Sequence, residues 1–156
     1  MSVSLLLIPA AMAALPAALS AAAAAVEKVV NPADDTAHFR VQTRMKDLGL
    51  LQLAINDTGG TVRMAGPDRI SAAWQEDEAV FTRGGDGVWA VHFDGPEASL
   101  EQAGTVLREL DAAYARRVQA AVVQRLKERA GGANLQLQSE TVEEDSSVTL
   151  VLNVRA

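Results

Sequence analysis

Two alternating runs of apolar and polar residues, separated by a glycine-rich stretch, constrain the fold more than any other part of the chain. They occupy residues 79–83 and 88–93, and the residues between them are Gly-Gly-Asp-Gly at 84–87. Alternation with a period of two is typical of strands, and glycine supplies the positive φ that tight turns between antiparallel strands require. The pattern therefore predicts a β-hairpin with a plain glycine turn rather than a phosphate-binding loop, which would need a following lysine and helix.

Other segments show the same strand period or the period of a helix. Apolar residues at helical spacing predict a short helix over residues 45–57 and a long helix from just after Pro96 to about Ala130, ended by Gly131-Gly132. The sequence thus predicts an α+β domain over residues 38–156, in which a mostly antiparallel sheet is packed on one side by a short and a long helix. The remaining predicted strands lie at residues 38–44, 61–64, 69–73, 135–142 and 147–154.

The opening segment of the chain contains no charged side chain between residues 2 and 26. Eleven alanines and five leucines lie within residues 1–26, which predicts a separate apolar helix over residues 1–30. Asn31-Pro32 ends it, because the residue before a proline disfavours helical geometry, and residues 31–37 form a linker.

Three interpretations suit this apolar helix. Cleavage as a secretory signal near residues 23–25 is disfavoured because the segment lacks a basic n-region. A membrane span needs about 20 apolar residues, which this segment supplies, although Pro9 and Pro16 weaken it. Close packing against copies of the same chain suits the alanines, so membrane association and self-assembly both stay open. The side chains predicted to carry either role are Leu5, Leu6, Leu7, Ile8, Met12, Leu15, Leu19 and Val26.

Composition narrows the function mainly by exclusion. The chain has 156 residues, enough for one domain, and no cysteine, which excludes disulfides and thiolate metal sites. A net charge of −6 and an aromatic content of 4% disfavour nucleic-acid binding. Two histidines are too few for a histidine-based metal site without several carboxylates. No metal, cofactor or nucleic-acid partner is therefore predicted.

The residues capable of chemistry are better explained by structural roles. His92 lies in the middle of a predicted strand, and nothing in the sequence nominates a partner for acid–base work. His38 opens the first predicted strand, where it can cap the strand or pair with Asp34 or Asp35. The long helix becomes basic toward its end, where cations interact favourably with the negative end of the helix dipole. This predicts a solvated helix face. Its basic residues there are Arg116, Arg117, Arg125, Lys127 and Arg129.

Five short motifs resemble a family of uncharacterised cyanobacterial, plastid and bacterial proteins, the ycf-thirty-five type. They run in the same order over residues 38–156, and Arg155-Ala156 departs from the family by lacking a terminal aromatic residue. The resemblance implies no catalytic residues, and it implies an accessory role beside ATPases of the AAA+ class. The motifs are "HF", "DLGLLQLAIND", "AVFTRGGDGVWAVHFDG", "YARRVQAAVVQRLKE" and "VEEDSSVTLVLNVR".

These observations predict a non-enzymatic accessory or adaptor protein. Its apolar N-terminal helix would mediate membrane association or self-assembly, its partner would be an AAA+ ATPase, and its location would be cytoplasmic with an optional attachment to a membrane. The alternative is a small-ligand-binding or enzyme-like module that uses the sheet face around His92, Trp74 and Trp89.

Overall fold

The computed structural model describes residues 2–7, 26–30, 37–75, 77–95, 100–144 and 146–154. The chain divides into two compact units, a large unit that contains the described residues from 26 to 114 and a small unit that contains residues 2–7 and those from 115 to 154. In chain order the elements are β1 (Ser2–Leu7), β2 (Val26–Val30), β3 (Ala37–Gln42), α1 (Leu48–Asp57), β4 (Thr61–Ala65), β5 (Arg69–Trp74), β6 (Asp77–Arg83), β7 (Trp89–Gly95), α2 (Leu100–Gly132), β8 (Leu135–Val142) and β9 (Val148–Val154).

The predicted α+β class is confirmed, with antiparallel strands, one short helix and one long helix. Every strand pair in the described ranges is antiparallel. The strands are divided between two sheets, however, whereas the sequence predicted one. The large unit holds six strands in the order β2-β3-β7-β6-β5-β4, and the small unit holds three in the order β1-β9-β8.

The predicted hairpin is confirmed as β6 and β7 in the middle of the large sheet. Its register runs from Ala79 opposite Phe93 to Arg83 opposite Trp89. The turn is closed by the hydrogen bond from the Gly87 N–H to the Gly84 carbonyl at 2.9 Å, and Gly87 has a φ of +77°, which favours glycine. The Asp86 carboxylate accepts from the Val88 N–H at 3.0 Å, so this aspartate serves the turn.

Both helical parts of the large unit pack on one face of its sheet, which we call the inner face. Asp47 caps α1 by accepting from the Leu50 N–H at 2.9 Å, and α1 buries Leu51, Ala54 and Ile55. The opposite face is called the outer face. The inner-face core contains Val41, Ile70, Ala72, Trp74, Ala79, Phe81, Trp89, Val91 and Phe93 from the strands, Met45, the three α1 residues, and Ala103, Leu110, Ala113 and Tyr114 from α2.

The small unit repeats this plan with fewer side chains. Val123 of α2 packs on Val148 and Leu150 of β9. Leu126 of α2 and Leu137 of β8 join the cluster from its margin. Polar contacts add to the packing: Lys127 Nζ lies 2.5 Å from a Glu140 carboxylate oxygen, and Gln119 Nε2 donates to the Ser146 carbonyl at 2.9 Å.

The apolar N-terminal helix predicted for residues 1–30 is wrong at both of its described ends. Ser2–Leu7 and Val26–Val30 are strands that pair with β9 and β3. The physical reason is long-range pairing with an apolar strand, in which Val3, Leu5 and Leu7 lie opposite Leu152, Leu150 and Val148 of β9. Leu5, Leu6 and Leu7 therefore lie in β1, and Val26 lies in β2.

The rest of the predicted helix lies outside the described residues, and so do its side chains Ile8, Met12, Leu15 and Leu19. The predicted linker at residues 31–37 also lies outside them, except for Ala37, which begins β3. Neither helix in the described ranges is both long and apolar enough to cross a membrane.

Candidate functional site

The predicted ligand face around His92, Trp74 and Trp89 is not formed. Trp74 and Trp89 belong to the inner-face core, with exposed fractions of 7% and 0%. His92 is half-buried on the outer face, because side chains alternate along a strand and Trp89 and His92 stand three positions apart on β7. The sheet therefore separates the histidine from both indoles.

Trp74 has a packing role at the junction of α1, β4 and β5. Its Nε1 donates to the Thr58 hydroxyl at 3.0 Å, and its ring lies 6.5 Å from the Phe81 ring, centroid to centroid. A Cβ added at Gly60 would lie 2.5 Å from the Trp74 ring, so glycine at this position leaves room for the indole.

Trp89 organises the connection between β3 and α1. Its backbone N–H donates to the Met45 carbonyl at 2.9 Å, and its carbonyl accepts from the Thr43 N–H at 3.1 Å. The Arg83 guanidinium lies 6.0 Å from the centroid of its ring, a cation–π distance. The indole Nε1–H has no hydrogen-bond partner among the described residues, which is an energetic cost inside a core.

The outer face presents one continuous row of side-chain positions across the sheet. Arg40 of β3 stands opposite His92 of β7, and His92 stands opposite Val80 of β6. The row continues from Val80 to Ser71 of β5 and from Ser71 to Met64 of β4. The register shift between Val62 and Met64 brings Met64, which is 51% exposed, onto this face.

His92 is held within that row by a neighbouring strand. Its Nε2 lies 3.1 Å from the Thr82 hydroxyl of β6. His38 stands opposite Asp94 in the pairing of β3 with β7, and its predicted partners Asp34 and Asp35 lie outside the described residues. Among the described residues, no group of three or more histidine, aspartate or glutamate side chains is placed to hold a metal ion.

Arginines dominate the described charges of the outer face. Arg40 and Arg69 are exposed there, and the bulge residue Arg63 lies 3.6 Å from Glu78 in an exposed ion pair. Arg40 and Arg69 form no ion pair with any carboxylate whose side chain the structure describes. The strand register also sets two acidic residues at outer-face positions, Glu27 opposite Arg40 and Asp94 opposite His38, so this face carries both signs of charge.

A polar clamp fixes the strand that carries Arg40. Arg44 follows β3 and donates two hydrogen bonds to Asp111 of α2, at 2.8 and 2.6 Å. The hydrogen bond to Asp111 is the main cause of a raised pKa for the Arg44 guanidinium, so its charge is retained throughout the neutral range. The Tyr114 hydroxyl accepts from the N–H groups of Lys46 and Asp47, both at 3.0 Å.

Sequence analysis missed the outer-face arginines, although a pattern was present. Arg40 and Gln42 alternate with Val41, so alternation alone puts both on the polar side of β3. It does not say which strand stands beside β3. The arginines of β3 and β5 share a face with His92 only because β7 and β6 lie between them in the sheet.

No protein-family model matches the chain, and no curated protein matches it. The comparisons therefore assign no family, and the resemblance to the ycf-thirty-five type stays a prediction.

Proposed function

We propose that this chain is a non-enzymatic accessory protein whose outer face binds an acidic surface of a protein partner. One observation carries the proposal: the helices of the large unit pack on the inner face, while the described charges of the outer face are mainly arginines. Exposed arginines that form no ion pair with a described carboxylate favour acidic groups on a partner.

The side chains of the outer face suit a protein rather than a small molecule. Val80 and His92 are half-buried at the centre of the row. Exposed Met64 stands at one end of it, and exposed Arg40 stands next to Glu27 of the edge strand β2. Arginine and methionine are enriched in protein interfaces, where an apolar centre is bordered by charge. Trp74 and Trp89 lie in the core, so the described side chains of this face include neither indole of the predicted ligand-binding module.

An AAA+ ATPase is the partner that the ycf-type resemblance nominates. The proposal requires that this ATPase present carboxylates to Arg40 and Arg69. Attachment to a membrane or self-assembly through residues 1–30 is not included, because β1 and β2 are edge strands of the two sheets. Removing those residues would take a strand from each sheet as well as any interaction they make.

The test is a binding titration of the full chain against an AAA+ ATPase from the same organism. The double variant Arg40→Glu/Arg69→Glu should weaken binding by about tenfold or more, because each reversal sets two like charges against one another. Arg108→Glu is the matched control, since Arg108 is also exposed but lies on α2, where it donates to the Thr105 hydroxyl. Equal losses in both variants would reject the outer face as the binding surface.

A further inference from the structure

A stripe on α2 in the small unit combines exposed valines with exposed arginines. Val118 and Val122 are 36% and 37% exposed, and Arg125 and Arg129 follow them at spacings of three and four residues. Residues spaced by three and four lie above one another on one side of a helix. These four residues are called the valine–arginine stripe. They belong to the small unit, so the inference does not depend on the proposed function of the outer face.

Packing of the small unit does not account for the stripe. The α2 residues that face the three-stranded sheet are Val123, with Leu126 beside it. The stripe lies to one side of these residues on the helical circumference, and its two valines retain more than a third of their surface. Two exposed valines one turn apart form a short apolar strip that lies outside the described core cluster of the small unit.

The charges of the stripe are also not neutralised within the small unit. Lys127 is paired with Glu140, and the Glu128 carboxylate accepts from the Gln124 amide at 2.9 Å. Arg125 and Arg129 form no ion pair in the part of the chain that the structure describes, and they lie one turn apart, where like charges repel. The helix dipole favours Arg129 in the last turn but does not reach Arg125 with the same strength.

We infer that the valine–arginine stripe binds an acidic amphipathic helix of a partner protein. Such a helix would set two apolar residues, four positions apart, against the valines and two carboxylates against the arginines. The two arginines favour an acidic partner by charge complementarity. The two valines favour a partner helix that has apolar side chains of its own over a flexible acidic tail.

The experiment uses the full chain and a designed acidic helical peptide. The peptide carries two leucines four residues apart and two glutamates on the same stripe, arranged for antiparallel contact. Fluorescence anisotropy should show saturable binding that weakens with salt. Arg125→Glu should weaken it about tenfold, and Val122→Ser about fivefold. Arg116→Glu is the matched control, because Arg116 is exposed on the same helix but off the stripe, and it should change affinity less than twofold.

Several outcomes would overturn the inference. It fails if the peptide does not bind at millimolar concentration, or if Arg116→Glu weakens binding as much as Arg125→Glu. It also fails if phosphatidylserine vesicles or duplex DNA bind the stripe and the peptide does not. Circular dichroism of every variant checks that α2 is intact. The outer-face variant Arg40→Glu/Arg69→Glu should bind this peptide normally, so failure here and failure of the proposed function are separable.

Discussion

The two units are built on the same plan but differ in how deeply their sheets are covered. In the large unit, α1 and α2 bury Trp89, Phe81 and other large side chains against six strands. In the small unit, the described core has Val123 of α2 packed on Val148 and Leu150 of a three-stranded sheet. Buried apolar area is the main source of stability, so the large unit should be considerably the more stable of the two.

This difference changes the interpretation of the opening segment. The apolar residues of β1 lie opposite those of β9, in the unit whose described core is small. A three-stranded sheet packed on a helix is near the lower limit for independent stability, and a two-stranded hairpin is marginal. We therefore expect the small unit to lose stability when β1 is removed.

Removing the largest buried side chain tests the large unit directly. Trp89→Ala should destabilise that unit by about 3–5 kcal/mol, since the indole is fully buried and leaves a cavity. The chain has two tryptophans, and both lie in the large unit, so the remaining Trp74 fluorescence reports urea unfolding of this unit alone.

The matched control is Trp89→Phe, which keeps most of the ring but removes the unpaired indole N–H. Trp89→Phe should lower the free energy of unfolding much less than Trp89→Ala does, because removing an unsatisfied buried donor offsets part of the lost packing. If the two variants cost the same, the indole N–H has a partner that the described residues do not include.

Deleting residues 1–7 should give a smaller effect that is confined to the small unit. Without β1, strand β9 becomes an edge, and amide hydrogen exchange in β8 and β9 should rise toward that of an unprotected hairpin. Exchange in β5, β6 and β7 and the Trp fluorescence transition should not change. Loss of protection in both units, or in neither, would contradict the expectation that β1 stabilises the small unit alone.

Local periodicity predicted most of the elements but could not assign them to sheets. Alternation predicted the hairpin of β6 and β7, and a stripe of leucines predicted α1. Gly131-Gly132 predicted where α2 ends. Residues 2–7 were mispredicted because Leu5, Leu6 and Leu7 form a continuous apolar run, which periodicity cannot distinguish from a helix. Their partner strand β9 lies at the other end of the chain, so only long-range pairing reveals the strand.

The candidate site was less predictable than the fold for the same reason. His92 was correctly predicted to lie in a strand, but its neighbours Arg40, Val80 and Thr82 come from two other strands. The grouping of His92 with Trp74 and Trp89 ignored the face on which each residue lies. Side-chain alternation assigns a face within one strand, whereas strand order decides which residues of different strands share it.

A moderate effect is expected from removing the Tyr114 hydroxyl. Tyr114→Phe leaves the Lys46 and Asp47 N–H groups without their acceptor, and should destabilise the large unit by about 1–2 kcal/mol. The Trp fluorescence transition should move to lower urea, while exchange in β8 and β9 stays as in the unmodified chain. A change below about 0.5 kcal/mol would mean that water replaces the phenol at these exposed backbone positions.

The smallest effect should come from the ion pair between Arg44 and Asp111. Arg44→Gln should cost the large unit about 0.5–1 kcal/mol, because the pair is bidentate but partly exposed, and the cost should shrink in high salt. A raised pKa means that the contribution from the Arg44 charge is fully present below the ordinary pKa of arginine and is lost only as pH rises through the raised value. Urea midpoints for the two proteins should therefore differ by the same amount at pH 6 and pH 9. A difference that disappears by pH 9 would show that some other group near Arg44 titrates and controls the clamp.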